Sequence, residues 1–444
     1  MSPYFKVFLM TILAICSNFV LAQKKKRSNN NNPSTTTKPV KKLQYKDAVY
    51  EKNVKTVQFY QDNQQLTYPI LFLNQPGQLT LEFDVLNGTA ENFYVTVVHC
   101  THDWEDSGLI PNEYLTSLNN DIIVNFRSSL NTLTPYIHYQ YSFPNENLGV
   151  KLPGNYLLKV FRNQDEDDII ITRRFLVSDQ TVFVSGTVNI ATSASLRNQA
   201  HQIDMTIGFS KIRKKIMFPV QDLKVKIMQN HRWDRMIEVT RPTIISDTAF
   251  IYDGFASNLT FDAINEFRRA DVRSITQYSN QVRKVYQQDS MFYTVLFTDI
   301  PRSKQKFVTF IDFNGLFYID VQGRRGDPDI ACEYQTVIFT LNSEPIPDSE
   351  VYIVGAFTDW QLRPENKMYY DEITQVYQAK ILLKQGIYDY LYVVKNLKDN
   401  TVNHTLIENN YSECQNFYTV LVYYRPIGGR ADFLSAVQML RFGR

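Results

Sequence analysis

The densest group of side chains that could ligate a metal lies in the segment 99–104, His-Cys-Thr-His-Asp-Trp. Zinc requires three or four nitrogen, sulfur or oxygen donors that converge on one point. His99 and Cys100 are neighbours at a predicted strand end, so their side chains point to opposite faces. No Cys-x-x-Cys or His-Glu-x-x-His motif accompanies them. We therefore predict a buried cysteine and a turn histidine here, and no metal site.

Nucleophilic catalysis also has little support in the sequence. The chain has no Gly-x-Ser-x-Gly motif, and its six histidines carry no signature that links one of them to a serine or a cysteine. The acidic stretch 162–168 indicates a hairpin loop between two strands, and we expect its charges to be solvated. We predict a protein that is not an enzyme and that needs no cofactor.

Two cysteines have a candidate covalent role. Cys332 lies at the start of the first predicted strand of a third domain, and Cys414 lies just before its last strand. In immunoglobulin-like sandwiches the first and last strands can run side by side in parallel, which would place both thiols at the same end of the sheet. Because an oxidising compartment would permit the bond, we hypothesise a Cys332–Cys414 disulfide.

Short strands with turn signals between them dominate the chain. Leu79 to Val85 alternates apolar and polar residues, which predicts a half-buried strand. The 28 tyrosines and 29 phenylalanines also favour β-structure, because aromatic rings fit a pleated surface. The pattern predicts an all-β protein of three consecutive immunoglobulin-like β-sandwich domains. Helical periodicity is limited to three short segments: 112–118, 265–275 and 434–440.

Composition restricts the class of partner. Of the 444 residues 44% are hydrophobic, as expected for packed domains. The 47 Lys and Arg nearly balance the 45 Asp and Glu, for a formal net charge of +2. A dedicated nucleic-acid-binding protein would usually carry a clear basic excess, so we expect no nucleic-acid partner.

The N-terminal residues predict export. Lys6 and the apolar run Val7 to Ile15 precede a plausible cleavage site at Ala22, which predicts a signal peptide over 1–22. Lipidation at Cys16 is the weaker alternative, since the bulky Ile15 precedes it. Residues 23–42 contain seven basic and no acidic side chains, which predicts a disordered basic linker. That linker is either a solvated spacer or a basic arm for an anionic membrane surface or an acidic partner.

The C-terminal part resembles an early-set immunoglobulin-like domain similar to the glycogen-binding modules of starch-acting proteins. The similar stretches are 351–360 (VYIVGAFTDW) and 385–394 (QGIYDYLYVV). In those modules the Trp of a Gly-x-Phe-x-x-Trp motif stacks on sugar, and this resemblance implies the same role for Trp360. The second aromatic residue expected in the following loop is absent from 395–402. A glycan-binding periplasmic or surface protein is therefore the alternative function, and a structural Trp360 is the simpler interpretation.

A second resemblance covers nearly the whole chain. Its motifs occur in order at 99–104 (HCTHDW), 135–139 (PYIHY), 152–156 (LPGNY), 172–175 (TRRF), 312–315 (DFNG) and 422–426 (VYYRP). In these motifs the chain resembles the type IX secretion system plug protein family of the Bacteroidetes. It departs from the family pattern at 407–411, which lacks an expected glycine beside Glu408, and at Cys332, where an acidic residue is more usual.

The predicted domain organisation of the chain comprises a signal peptide 1–22, a linker 23–42, an N-terminal sandwich 43–178, a middle sandwich 179–330, an early-set domain 331–432 and a C-terminal tail 433–444.

The family resemblance implies a binding role. Its members associate with the outer-membrane translocon β-barrel of the secretion system and close it from the periplasm, at the inner side of the outer membrane. The chain would then be peripheral to the membrane through this partner and would have no small-molecule substrate. Exposed aromatic residues and arginines are enriched at interface cores, and Asn265, Glu266, Phe267, Arg268 and Arg269 have that composition. We predict that this segment binds the partner or, alternatively, forms an Arg–Glu clamp within the second domain.

Overall fold

The computed structural model describes residues 41–86, 88–323 and 326–443. These residues form 29 strands and only short helices, so the predicted all-β class is confirmed. None of the helices in these residues is long and apolar enough to cross a membrane. The predicted signal peptide and most of the predicted linker lie outside the described residues. The helices are α1 (Pro111–Tyr114), α2 (Pro219–Asp222) and α3 (Pro328–Ala331), with 3₁₀ segments at Ser210–Lys215, Trp233–Arg235, Arg302–Lys304, Ala356–Thr358 and Pro364–Asn366.

The first sandwich contains two sheets around one apolar core, which includes Phe83, Phe93, Tyr139 and Phe175. One sheet has the spatial order β1 (Ala48–Val49), β10 (Asp165–Ser178), β9 (Gly154–Arg162), β5 (Phe93–Cys100) and β6 (Asp121–Ile122), with β3 (Ile70–Phe72) beside β10. The other has the order β2 (Val54–Gln61), β4 (Leu79–Leu86), β8 (Tyr136–Phe143) and β7 (Asn125–Ser128).

The second sandwich encloses a core that includes Ile203, Ile207, Ile227 and Val420. Its outer sheet has the order β11 (Phe183–Ile190), β12 (Ala200–Gly208), β16 (Ala249–Tyr252) and β15 (Ile244–Ile245), with β17 (Thr260–Asp262) beside β12. Its inner sheet has the order β14 (Met236–Val239), β13 (Leu223–Gln229), β28 (Asn416–Tyr424) and β29 (Phe433–Phe442).

The third sandwich is a ten-stranded sheet that folds over its own core. Residues 367–368 pair with one half and residues 369–371 with the other, so a single strand joins the two layers. Phe339, Ile353, Ile381 and Tyr390 belong to the core between them. The order is β18 (Arg268–Asp271), β26 (Gly386–Asn396), β23 (Ser349–Val354), β24 (Lys367–Asp371), β25 (Val376–Lys384), β22 (Tyr334–Leu341), β20 (Met291–Leu296) and β19 (Val282–Gln288), with β21 (Phe317–Ile319) and β27 (Val402–Asn403) beside β26.

The third sandwich is inserted into the second, which differs from the predicted boundaries. β28 pairs with β13, as shown by the partners Ile227 and Val420, so the strand predicted to end the third domain completes the second. The predicted tail 433–444 forms β29, which pairs with β28. Residues 268–319, which we placed in the middle domain, form strands that pair within the third. Local patterns predict strands, whereas the pairing of β13 with β28 joins residues almost two hundred positions apart.

Several local predictions were also wrong. The segment 434–440 forms strand β29, because its apolar residues serve two cores: Ala436 and Leu440 face the second sandwich, and Leu434 and Val437 face the first. The segment 265–275 contains strand β18 and no helix. The predicted helix at 112–118 is only the four-residue α1.

The strand predicted over Leu79–Val85 exists as β4, but it is buried on both faces. Among its polar residues, which the alternation assigned to solvent, Asp84 contacts Tyr334 and Lys384 of the third sandwich. The predicted linker also ends earlier than residue 42, since Lys41 Nζ lies 2.8 Å from Glu51 and 2.6 Å from Asp168.

Candidate functional site at the chain crossings

The chain passes from the second sandwich to the third and back through two adjacent segments. Ile264 on the outgoing segment forms a β-bridge with Asn410 on the returning one. Asn265 Nδ2 donates a hydrogen bond to the carbonyl of Glu408 at 2.8 Å, and Asn416 Nδ2 donates to the carbonyl of Ile264 at 3.0 Å. The two crossings are therefore fastened to each other.

Buried charges reinforce this crossing. Arg268 Nε donates to Glu408 Oε1 at 2.9 Å, and Arg268 Nη1 donates to Asp299 Oδ1 at 2.7 Å. Arg268 is 7% exposed and Glu408 is fully buried. Tyr390 and Tyr392 each donate their hydroxyl to Asp299 at 2.7 Å. Each charge thus has a partner, as a buried ion needs if it is not to destabilise the fold.

The neighbouring Glu266 orders a second loop. Its carboxylate accepts hydrogen bonds from the Thr309 hydroxyl and from the backbone N–H of Phe310, both at 2.6 Å. Arg302 donates to the Glu266 carbonyl and lies with its guanidinium 5.1 Å from the Phe310 ring. The segment 307–310 is held by these side-chain contacts and forms no strand.

Two carboxyl groups lie close together beside the crossing. Asp312 accepts a hydrogen bond from the Phe267 N–H at 2.6 Å, and Asp389 accepts one from Arg269 Nε at 3.2 Å. Burial and the charge of Asp312 raise the pKa of Asp389 to about 7, an effect that outweighs the opposite influence of Arg269. Burial also raises the pKa of Asp312. The Arg269 guanidinium lies 4.0 Å from the Phe313 ring.

The structure therefore brings all five predicted partner-binding residues to the crossing. Asn265, Glu266, Phe267 and Arg268 are buried, and only Arg269 is partly exposed. Buried side chains are not available as an exposed contact, so the expected partner-binding face is wrong for these four. The clamp alternative is closer, although its partners belong to the third sandwich and not to the second domain. The sequence did not predict that Glu408 belongs to this site. The only signal was its position in the loop 407–411, which departs from the family pattern.

Trp360 is partly buried. The Arg232 guanidinium lies 4.3 Å from its ring centre, and the Phe267 ring contacts it edge-on at 5.7 Å. A Cβ at Gly315 would approach the ring within 2.3 Å, so glycine there permits the close fit. Trp360 thus joins the second and third sandwiches, and its sugar-stacking role stays a prediction.

The three described cysteines are free thiols. Cys332 lies in the core of the third sandwich, whereas Cys414 lies at the returning crossing with its sulfur 3.7 Å from Asn265 Oδ1. The disulfide hypothesis is wrong because it assigned the last strand to the third domain. Burial raises the pKa of Cys100, Cys332 and Cys414 to about 12.

The segment 99–104 lies between the first and second sandwiches. Cys100 and Trp104 are buried there. His102 Nδ1 lies 3.0 Å from Asp432 Oδ2, and Asp103 forms an ion pair with Lys226 of β13. In the acidic stretch, Asn163 and Gln164 form the turn with positive φ, and Asp168 pairs with Arg162 at 2.9 Å. These charges support packing between elements.

A further buried network joins the first and third sandwiches, and sequence reasoning missed it. The carboxylate of Asp84 lies 2.7 Å from Lys384 Nζ, and both side chains are 1% exposed. Asp84 also accepts the Tyr334 hydroxyl at 2.7 Å and contacts His138 Nδ1 at 2.8 Å. A charged residue inside the apolar strand 79–85 was the signal that could have found it.

The chain is similar to a known protein family and to a solved structure. Residues 54–179 match the model of the family described as type 9 secretion system plug protein 1st domain. A crystal structure of a hypothetical protein from Parabacteroides merdae is 31% identical, with a TM-score of 0.85. The similarity covers 90% of this chain and 100% of that one.

The chain belongs to the type 9 secretion system plug protein family. This family is a secretion family and not an enzyme family, and it implies association with a secretion system component and a location in the cell envelope. No curated protein matches the chain. The matched range of this plug-family chain coincides with nearly all of the first sandwich, and the crystal structure extends the likeness over the second and third.

Proposed function

We propose that the protein is a non-enzymatic periplasmic plug that binds and closes the outer-membrane translocon β-barrel of the type IX secretion system. The family match over residues 54–179 carries this proposal. The Parabacteroides merdae structure is similar to this chain over the second and third sandwiches as well, so we assign the function to all three sandwiches together. The site of action would be the periplasm, at the inner side of the outer membrane.

The packing between the three sandwiches is suited to a rigid plug. A wide aqueous barrel leaks solutes unless a rigid body covers it, and loosely linked domains would move independently. Here three apolar clusters and the buried ion pairs Arg268–Glu408 and Asp84–Lys384 join the sandwiches. Such fixed contacts make the three sandwiches act as one body.

Four of the six histidines are poorly suited to general-base catalysis. A general base works best when its pKa lies near the operating pH. Burial moves four of the six histidines far from that range: it lowers the pKa of His99 and His201 to about 4 and that of His231 and His404 to about 3.

A plug must also be released when a substrate is exported, so its interface with the barrel should be moderate in size and partly polar. Affinity purification tests the proposal. The tagged protein is expressed in its native host, the envelope is solubilised in mild detergent, and the co-purifying proteins are identified by mass spectrometry. We expect one large outer-membrane barrel, absent when an unrelated tagged periplasmic protein is used. Repeated absence of any such barrel would refute the proposal.

A further inference from the structure

Three potential metal ligands meet where the first sandwich contacts the third. Glu82 lies on β4, His138 lies on the neighbouring β8, and Asp329 lies on α3. One ligand atom from each of them falls within 4.8 Å of the others. The three residues come from separate segments, so no local sequence motif announces them.

A contact at Nδ1 fixes the orientation of the His138 ring. Its Nδ1 lies 2.8 Å from Asp84 Oδ1, and Asp84 is held in turn by Lys384 and Tyr334. A carboxylate that accepts the Nδ1 proton leaves Nε2 as the free lone pair, which is the usual support of a metal-bound histidine. His138 is 4% exposed, and its Nε2 is buried without a hydrogen-bond partner among the described residues. That nitrogen lies 3.7 Å from Asp329 Oδ2.

The charges at this position call for a cation. Glu82 is 6% exposed and forms no ion pair with a lysine or arginine within the described ranges. Gln140 Nε2 donates to its Oε1 at 2.9 Å. Asp329 does pair with Arg127 at 2.8 Å, but Arg127 is 40% exposed and also binds Asp327.

The geometry points to a Zn²⁺ site formed by Nε2 of His138 and one carboxylate oxygen each of Glu82 and Asp329. Zinc accepts nitrogen and oxygen ligands at about 2.0–2.2 Å in tetrahedral geometry, which places two ligands roughly 3.4 Å apart. The 3.7 Å between His138 Nε2 and Asp329 Oδ2 is close to that separation. Asp329 is 23% exposed, so solvent can supply the ion and a fourth ligand.

The ion would fasten the first sandwich to the third. Two ligands belong to the first sandwich and the third belongs to α3, which directly precedes β22. On binding, the ion would replace Arg127 as the counter-charge of Asp329, and Arg127 would keep Asp327. The site therefore strengthens the junction that Asp84 and Lys384 already form.

The test uses the full chain without its predicted signal peptide, freed of metal by chelation. Isothermal titration with ZnCl₂ measures affinity and stoichiometry, and Co²⁺ absorption reports tetrahedral coordination. We expect one ion per chain, a higher melting temperature and reversal by EDTA. Glu82→Gln and Asp329→Asn should each weaken binding by about 100-fold or more, the upper end of what loss of a supporting group costs.

Glu238→Gln is the matched control, because Glu238 belongs to the only other such cluster in the described residues, with His102 and Asp103. We expect this variant to bind like the wild type. Absence of saturable binding would overturn the assignment, as would binding that survives both Glu82→Gln and Asp329→Asn, or binding lost in Glu238→Gln. If Glu82→Gln fails to fold, as judged by circular dichroism, Asp329→Asn at the half-buried position decides.

Discussion

Arg268 and Glu408 form a buried ion pair across 140 residues of chain, with Arg268 Nε 2.9 and 3.0 Å from the two carboxylate oxygens. Arg268 begins the first strand of the third sandwich, and Glu408 lies on the segment that leaves it. The pair therefore closes the inserted sandwich at its base. Loss of this contact would loosen the third sandwich relative to the second.

We predict that Glu408→Gln lowers the free energy of unfolding by about 3–5 kcal/mol, the usual cost of leaving one buried charge without its partner. The glutamine keeps the shape and can still accept the Tyr392 N–H, so charge is the main change. Urea denaturation of the purified chain measures this effect.

A double-mutant cycle with Arg268→Met isolates the pair. The two single changes together should cost at least about 1 kcal/mol more than the double variant, since each single change strands a charge. Asp348→Asn serves as the control, because the Asp348–Lys398 pair is largely exposed and should contribute little. Additive single changes would contradict the coupling.

A second prediction concerns pH and Asp389. Its pKa is raised from about 3.8 in the unfolded chain to about 7 in the fold, so the folded state retains a proton that the unfolded state releases. The contribution of Asp389 to stability is therefore complete below pH 3.8 and is lost as the pH rises through 7. A shift of this size corresponds to on the order of 4 kcal/mol.

Asp389→Asn mimics the protonated form and can accept the same hydrogen bond from the Phe313 N–H. The variant should gain stability relative to the wild type as the pH rises from 5 to 8. Comparing the two proteins at each pH cancels the titration of other groups. A difference that stays constant from pH 5 to 8 would contradict the raised pKa.

The sequence predicted a strand correctly where its hydrophobic pattern arose from packing against a single core. The hairpin of β9 and β10 was predicted correctly because the acidic stretch 162–168 separates two apolar runs. The pattern failed at β29, whose residues are buried on both faces and so recur at helix-like spacing. It also failed to place Asp84, since alternation assigns a polar residue to solvent unless another domain covers it.

The composition of 265–269 indicated a segment with many side-chain contacts, but it did not predict which part of the molecule or which partner covers the segment. Arginine, phenylalanine and glutamate are suited both to an interface with a partner and to an internal crossing. The choice depended on Glu408 and Asp389, which lie more than a hundred residues away. Only the topology, with the third sandwich inserted between β17 and β28, brings them together.

A third prediction concerns the thiols. The chain without residues 1–22 contains three cysteines, and all three are buried and free. In the native state they should resist thiol reagents, because burial raises the pKa of each to about 12. After denaturation without reductant, Ellman titration should give three thiols per chain. A single reactive thiol would indicate a disulfide and contradict this structure.

Envelope permeability tests whether this protein closes the translocon barrel, as we propose. In the native host the gene is deleted, and uptake of a hydrophilic antibiotic too large for ordinary porins is measured with the barrel still present. We predict increased uptake that the wild-type protein reverses, and no increase when the barrel is deleted as well. Uptake that stays unchanged in the strain lacking only the plug would contradict it.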